Sequence, residues 1–510
     1  MPMKRYSWSI LLMLLLSSCT AGFEEINTDP KTKDSIPPGE QLTAAAYFMD
    51  GGREMGYPNL YIFQPMVQYL TGAEDMSRGG KYIRDEFYNN CVWENLYGKS
   101  LKQLVDLLEN HKKDTALVNY LAAARILRVY VFSLLTDTYG DIPYSQAGLA
   151  YYNKIYTPQY DKQSDIYTDF FKELAEATAQ FNPGREGIVN DIVYNGDLEK
   201  WKRLAGSLRL RLAMRLTKVN AITAREQVKA ALAAGVMHSA EDNFRMLHDN
   251  YAYPDLRGNG YAQALLEDNV RQWVRGCSTF VEYLKAERDP RLPTFFANKD
   301  ADGNDITAIT NYLSMKPGMY YWDDDQNYVS PAGVVIPAAA KYCVLNQPFY
   351  RLEAPFLHMG YAEVAFLLAE AAARGWIPDD ANNWYQTGIH AAIDQLKLYP
   401  EIGYIPEDTA TAFVRAHRLT PGREIEQINM QKWVALFPNG FEAYANQRRS
   451  GFPVLAPITD LGNESQTDGI LPRRLFYPST EAFSNTLHYQ EALDRMGGTD
   501  DWLQHVWWDY

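Results

Sequence analysis

The sequence predicts a mainly α-helical fold with an irregular insert, and three observations carry that reading. The residues before Gly140 place apolar side chains on two helical faces, Tyr120, Ala124, Leu127, Val131 and Leu134 on one, Val118, Ala122, Val129 and Phe132 on the other. A helix apolar on two faces must be buried between other elements. Residues 166–179 and 198–218 also repeat apolar residues at three- and four-residue spacing. Between residues 236 and 351 this periodicity gives way to Gly, Pro, Asn and Asp with short aromatic or β-branched runs, the texture of an irregular region with a few short strands.

Taken in order, the chain opens on a targeting segment. Lys4 and Arg5 precede the unbroken apolar run 10–16, and small residues follow, the layout of a secretory signal. The run is too short to span a bilayer, which takes about 20 residues. Leu16-Ser17-Ser18-Cys19 resembles the lipobox of bacterial lipoproteins, which makes Cys19 the acylated residue and new N-terminus. Residues 1–18 are then the signal peptide and 19–39 an acylated start and a polar, Pro-containing leash. No later segment reads as a membrane span, so the body is expected to be soluble and tethered.

Residues 44–69 read as helical in parts, broken at Gly51-Gly52 and at Tyr57-Pro58. Residues 71–84 form a loop rich in Gly, Ser and charge, and helix resumes over 89–108. A long loop between helices often carries function. After the central helix, Gly140 supplies the cap, Pro143 biases Ile142 away from helix, and a fixed, aromatic-flanked turn is expected. In 198–218, Asp197 is the expected N-cap, Trp201, Ala205, Leu208, Leu212 and Leu216 make one stripe, and Arg209, Arg211 and Arg215 face elsewhere. Such helix pairs resemble tetratricopeptide repeats without a strict period, giving a tetratricopeptide-like helical-pair scaffold.

Within the insert, short strands are expected at 294–296, 312–313, 319–322 and 333–336. Residues 298–305 (NKDADGND) resemble a calcium loop, but the glycine falls at the wrong place for an EF-hand, so a hairpin turn is expected. Helix returns at Leu357, with Gly375 closing it and Pro378 preventing its return. Glu363 and Glu370 lie two turns apart on that helix. They could serve acid–base chemistry, or form a solvated stripe with Glu370 paired to Arg374. Residues 425–446 are helical, and the tail from Leu471 is loop-rich.

Composition narrows the function. The chain has 510 residues, 46% hydrophobic and 22% charged, with a net charge of −14. Removing the +2 of Lys4 and Arg5 leaves −16, which argues against a nucleic-acid surface. With 36 Tyr and 11 Trp the chain is rich in flat faces with polar tips, suited to sugars or peptides. With Cys19 acylated, Cys91, Cys277 and Cys343 remain, an odd number that forms no disulfide framework, although one pair could form. No CxxC, HExxH or paired His spacing points to a metal, and no GxSxG or Cys–His context points to a hydrolase. No cofactor is expected.

Several stretches together carry a family resemblance. FEEINTDP at 23–30, TDTYGDIPYSQA at 136–147, WKRLAGSLRLRLAMR at 201–215 and DPRLPTFF at 289–296 resemble the SusD/RagB family. So do YAEVAFLLAEAAARGW at 361–376, QKWVALFPNGFEAYANQRRSGFPVL at 431–455, PRRLFYPSTEAFSN at 472–485 and the closing GGTD and WWD. The set covers nearly the whole mature chain in order and is most similar to the branch with INTDP and WWD ends. The resemblance implies an outer-membrane lipoprotein of Gram-negative bacteria facing the cell exterior. Its body would be 40–510, with a helical scaffold at about 40–235 and 356–450 and a capping subdomain at about 236–355 plus the C-terminal tail. It implies no enzyme activity. It implies oligosaccharide binding, or peptide binding in some branches, as a lid on a SusC-like TonB-dependent β-barrel transporter.

The family's ligand surface lies between the first long loop and the capping subdomain. On this chain that points to Arg78, Lys81 and Tyr82 in the Gly-rich loop, and to Tyr253, Trp273, Tyr320, Tyr321, Trp322, Asp323 and Asp324 beyond it. The 320–324 cluster is the first choice, since aromatics beside carboxylates suit sugar hydroxyls and ring faces. Trp93, Trp201, Trp376 and Trp433 lie in helical patterns and are assigned to the core. The alternatives are a peptide-binding lid, a carboxylate hydrolase using Glu363 or Glu370, and a structural scaffold.

Overall fold

The computed structural model describes residues 36–73, 75–299, 304–319, 328–329, 335–336, 341–399, 401–458, 461 and 465–510. Cys19 and the cluster Tyr320, Tyr321, Trp322, Asp323 and Asp324 lie outside the described residues.

The central helix is Val118–Tyr139 and is buried on nearly every side, as its two apolar faces require. It is the one described helix long and apolar enough to cross a membrane, contrary to the sequence expectation that none is. With 78% of its most apolar window buried inside the protein, it is a core helix. It stops at Gly140, whose φ of 86° no other residue adopts easily. The following segment is more than a turn, because Ile142–Pro143 pairs antiparallel with Tyr160–Asp161.

Helices Gln163–Gln180 and Leu198–Arg215 pack beside this axis, and Leu198–Arg215 pairs with Ala221–Ala234. The pairing is close because a Cβ on Gly206 would fall 1.9 Å from the Gly235 carbonyl oxygen. Asp197 caps its helix by accepting from the Glu199 and Lys200 amides, both at 3.0 Å. A further pair, Tyr361–Ala373 and Ala381–Asp394, joins two clusters. Val364, Leu367 and Leu368 belong to the main core, and Phe366 and Ala369 to a smaller one with Tyr385, Ile389 and Phe413. The result is a mainly α scaffold of helix pairs, with described strands only in two-stranded sheets.

Several sequence expectations are corrected. Leu357 is not helical, since Phe356–Met359 pairs with Phe244–Met246 and the helix starts at Tyr361. Residues 425–446 hold two helices, Glu424–Leu436 and Gly440–Ser450, separated at Pro438, which has no amide to donate. The tail contains the helix Thr486–Arg495. Of the expected strands, 333–336 is present at Val335–Ile336, whereas 294–296 is extended only at Phe296, since Thr294 and Phe295 end the helix Leu292–Phe295, and Tyr312 and Leu313 are not in a strand. Lys299 and Asp305 bridge antiparallel across the expected hairpin, whose residues 300–303 lie outside the described set.

The arginines expected to face away from the apolar stripe do so, but Arg211 and Arg215 turn into the protein, 2% and 1% exposed. Arg211 donates to both oxygens of Glu363 at 2.8 and 2.6 Å. Arg215 bonds Asp137 at 3.1 Å and Glu442 at 2.5 Å, and Lys432 lies 3.4 Å from Glu442. Glu370 receives both arms of Arg449 at 2.8 and 2.7 Å as well as Arg374. The Glu370–Arg374 pairing is as expected, but the stripe is not solvated, because Glu363 and Glu370 are 2% and 1% exposed. Carboxylates sealed against cations in this way meet no substrate, so neither serves hydrolysis.

This interior makes the fold acid-sensitive. Burial pushes the His358 imidazole down from 6.5 to about 4, with Asp50 opposing only in part. The unfolded chain therefore takes up a proton that the fold refuses, and stability falls as pH drops from 6.5 towards 4. Burial alone would raise the Glu370 and Glu442 carboxyls. Arg449 at Glu370, and Arg215 with Arg211 at Glu442, outweigh it and hold both well below the carboxylate range. Their stabilisation is complete above the ordinary carboxylate value and is lost as pH falls through the depressed values, so all three groups act in one direction. The urea midpoint is expected to fall between about pH 7 and pH 5 by the equivalent of roughly 1–3 kcal/mol, and His358→Gln is expected to flatten that decline. A midpoint independent of pH over this window would contradict the assignment.

Candidate functional site

A described cleft grows from the segment after Gly52. Helix Arg53–Tyr57 continues, without the expected break at Pro58, into a π-helical turn Pro58–Phe63. The wider turn tolerates Pro58, and such turns often sit at functional sites. It presents Tyr57 and Tyr61 with ring centroids 5.7 Å apart and planes 25° from parallel.

The Gly-rich segment packs against this turn. It is not a plain loop but a strand, Leu70–Gly72, and a short helix, Met76–Gly80. Its glycines serve close approach: a Cβ on Gly79 would lie 2.2 Å from the Ile62 oxygen, and one on Gly72 would lie 1.9 Å from the Trp273 oxygen. Leu70–Gly72 pairs antiparallel with Val274–Gly276, and the Ala73 amide donates to Trp273 at 3.3 Å. This pairing sets the Trp273 ring beside the first loop. Asp85 caps helix Glu86–Asn95 by accepting from the Tyr88 amide at 3.1 Å, which brings Tyr88 to the same place.

Tyr57, Tyr61, Tyr88 and Trp273 thus line a cleft of about 350 Å³, with Ala73, Met76 and Val270 between them and Asp75 and Glu267 as its charged groups. The volume lies in the range of small-ligand sites. The rings touch, Tyr57 to Tyr88 at 5.5 Å and Tyr61 to Tyr88 at 4.9 Å. Tyr88 donates its phenol proton to Asp75 at 2.7 Å, and Tyr57 donates to Glu267. Burial first, and those carboxylates next, hold both phenols well above their ordinary range, so both stay protonated. Glu267 also bonds Arg53, whose guanidinium lies 3.8 Å from the Tyr253 ring centre. Phe87, 58% exposed, touches both Tyr57 and Tyr88 on the rim. Such a surface stacks flat apolar faces and accepts hydrogen bonds at the edges. Among the described residues no group of three or more His, Cys, Asp or Glu could hold a metal ion.

The structure distributes the sequence-predicted residues unevenly. Trp273 lines the cleft, and Tyr253, 43% exposed, flanks it through Arg53. Arg78 stands behind the wall, 3.8 Å from Asp75 and 3.3 Å from Asp85. Lys81 and Tyr82 turn inward. Tyr82 is 2% exposed with φ of 55°, and burial pushes its phenol up. The ring face expected of Tyr82 is therefore part of the core. Trp93, Trp201 and Trp433 are buried as expected, while Trp376 is half-buried. Sequence reasoning missed Tyr57, Tyr61, Tyr88, Phe87, Asp75 and Glu267. The one local signal was Asp85, an N-cap ahead of the adjacent aromatics Phe87 and Tyr88.

Comparison with known proteins places this architecture. A SusD-like family model described as "Starch-binding associating with outer membrane" matches residues 30–478. A solved structure described as a chitin-binding protein is 38% identical, with a TM-score of 0.83 over 93% of this chain and 100% of its own. A second, described as Bacteroidetes AC2a SusD-like, is 31% identical, with a TM-score of 0.85 over 93% of this chain and 100% of its own. A chitin-binding SusD homologue from Flavobacterium johnsoniae shares the fold at 24% identity, with a TM-score of 0.74 over 93% of this chain and 98% of its own. No curated protein sequence matches the chain.

Proposed function

The chain belongs to the SusD-like family, and from that premise we propose that it binds glycans at the bacterial outer membrane and delivers them to a SusC-like TonB-dependent transporter. The single observation that carries this reading is the cleft between the first loop segment and Trp273, where four aromatic rings surround about 350 Å³. Pyranose rings offer apolar faces to Tyr and Trp, while Asp75 and Glu267 accept from the hydroxyls. The family is one of binding proteins and not of enzymes, and the sealed ion pairs of Glu363 and Glu370 accord with that.

The family description supports the outer-membrane location, and the relatives named as chitin-binding support a glycan cargo. In this reading Cys19 carries the lipid, residues 19–39 are the leash, and the body from residue 40 stands outside the cell over its transporter. Affinity is modest by design, because cargo must be released to the barrel. The test is electrophoresis of the lipid-free body through gels containing starch, chitin derivatives or other polysaccharides, with fractionation of full-length and Cys19→Ser protein alongside. Retardation by one glycan class, membrane pelleting of the full-length protein and release of Cys19→Ser are expected. Retardation by no glycan, or a Cys19→Ser protein that still pellets with the membrane, would count against the reading.

A further inference from the structure

Two of the four rings of the cleft, Tyr57 and Tyr88, are tied to carboxylates, and both in the same sense. The protons of Tyr88 and Tyr57 point at Asp75 and Glu267, so the phenol oxygens face a ligand as acceptors. Each carboxylate keeps lone pairs beyond the one its tyrosine fills, and the Asp75 and Glu267 side chains remain 43% and 27% exposed. Among the described lining residues these two are the only charged groups. The cations that balance them, Arg53 and Arg78, stand outside the lining and each answers a further carboxylate, Glu54 at 3.9 Å and Asp85 at 3.3 Å. Four carboxylates against two guanidiniums leave this group at −2. At Tyr57, Tyr88, Asp75 and Glu267 a ligand is therefore met by acceptors and by negative charge.

We propose that the cleft selects amino sugars, binding units with a free ammonium group in preference to their acetylated forms and rejecting uronate or sulfated chains. The inference rests on the glycan reading above and names its substrate class. An ammonium brings three donors and a charge to a wall of lone pairs, and charge-assisted hydrogen bonds are the stronger kind. Stacking holds the ring, and the carboxylates read its nitrogen. Partial solvent exposure keeps the preference moderate, about tenfold in affinity.

Calorimetric titration of the lipid-free protein tests this with four probes: glucosamine and N-acetylglucosamine oligomers of equal length, an oligogalacturonate, and a lysine-containing peptide. The glucosamine oligomer is expected to bind about tenfold more tightly than the acetylated one. The advantage is expected to shrink at high salt and to fall below about threefold in Asp75→Asn and Glu267→Gln, with the variants' melting profiles verifying the fold. Equal or weaker binding of the glucosamine oligomer, with the acetylated one bound, would overturn this inference and leave the glycan reading standing. Binding of the peptide more tightly than any glycan would overturn it in favour of peptide cargo. Binding of no glycan would remove both readings.

Discussion

Replacing Glu370 by alanine is expected to cost about 3–5 kcal/mol of folding stability, the usual consequence of breaking a buried ion pair from one side. Glu370 is 1% exposed and bonds both arms of Arg449, which is itself 1% exposed. Without the carboxylate, Arg449 keeps only neutral partners, Asn429 at 2.7 Å and Asn446 at 2.9 Å. An uncompensated guanidinium then remains in a water-excluded interior, and the arms of helices Tyr361–Ala373 and Gly440–Ser450 lose their tie. Typical domain stabilities are about 5–15 kcal/mol, so the variant should show a much lower urea midpoint. Glu199→Ala is the control, since the Glu199 side chain is 64% exposed and bonds only Lys202 at 2.8 Å among the ion pairs described. It should shift stability by less than about 0.5 kcal/mol. A loss below about 1 kcal/mol for Glu370→Ala would mean that the network is not sealed from water.

Trp273→Ala is expected to weaken glycan binding by about tenfold to thirtyfold, equivalent to roughly 1.4–2 kcal/mol. The indole is half-buried in the cleft wall, so its truncation removes a stacking face without opening the core. The backbone at this position, which accepts from Ala73 and adjoins the strand Val274–Gly276, stays as it is. Trp273→Phe should recover most of the affinity, because a flat face returns. Tyr253→Ala should cost less, about threefold or under, since one face of that ring is already covered by Arg53. Isothermal titration with the glycan that retards the protein most provides the comparison. Equal affinities for Trp273→Ala and the unaltered protein would remove Trp273 from the site.

The parts of the fold that were legible in the sequence are those set by local chemistry. The central helix declared itself by two apolar faces, its end by Gly140, and the start of helix Leu198–Arg215 by Asp197. The charged interior was not legible, because the partners of Arg211 and Arg215 lie 152 and 227 positions away. Spacing on one helix shows that a side chain leaves the apolar stripe; it does not show whether water or another helix waits there.

The cleft was legible in outline and not in its residues. Family placement pointed to the first loop and to Trp273, and both belong to the cleft. Tyr82 and Tyr88 are the same residue type six positions apart, yet a φ of 55° turns Tyr82 inward while the Asp85 cap turns Tyr88 to the cleft. The π-turn that aligns Tyr57 with Tyr61 follows a wider repeat than the α-helical pattern, so in the sequence Pro58 reads as a break. Gly72 and Gly79, part of the stretch read as a Gly-rich loop, are contact points between backbones.

The most direct test of the central claim is a crystal structure of the lipid-free protein with its tightest-binding oligosaccharide. Sugar rings are expected against Tyr57, Tyr61, Tyr88 and Trp273, with ring substituents within hydrogen-bonding distance of Asp75 and Glu267. A saccharide bound elsewhere, with this cleft filled only by water, would contradict the account.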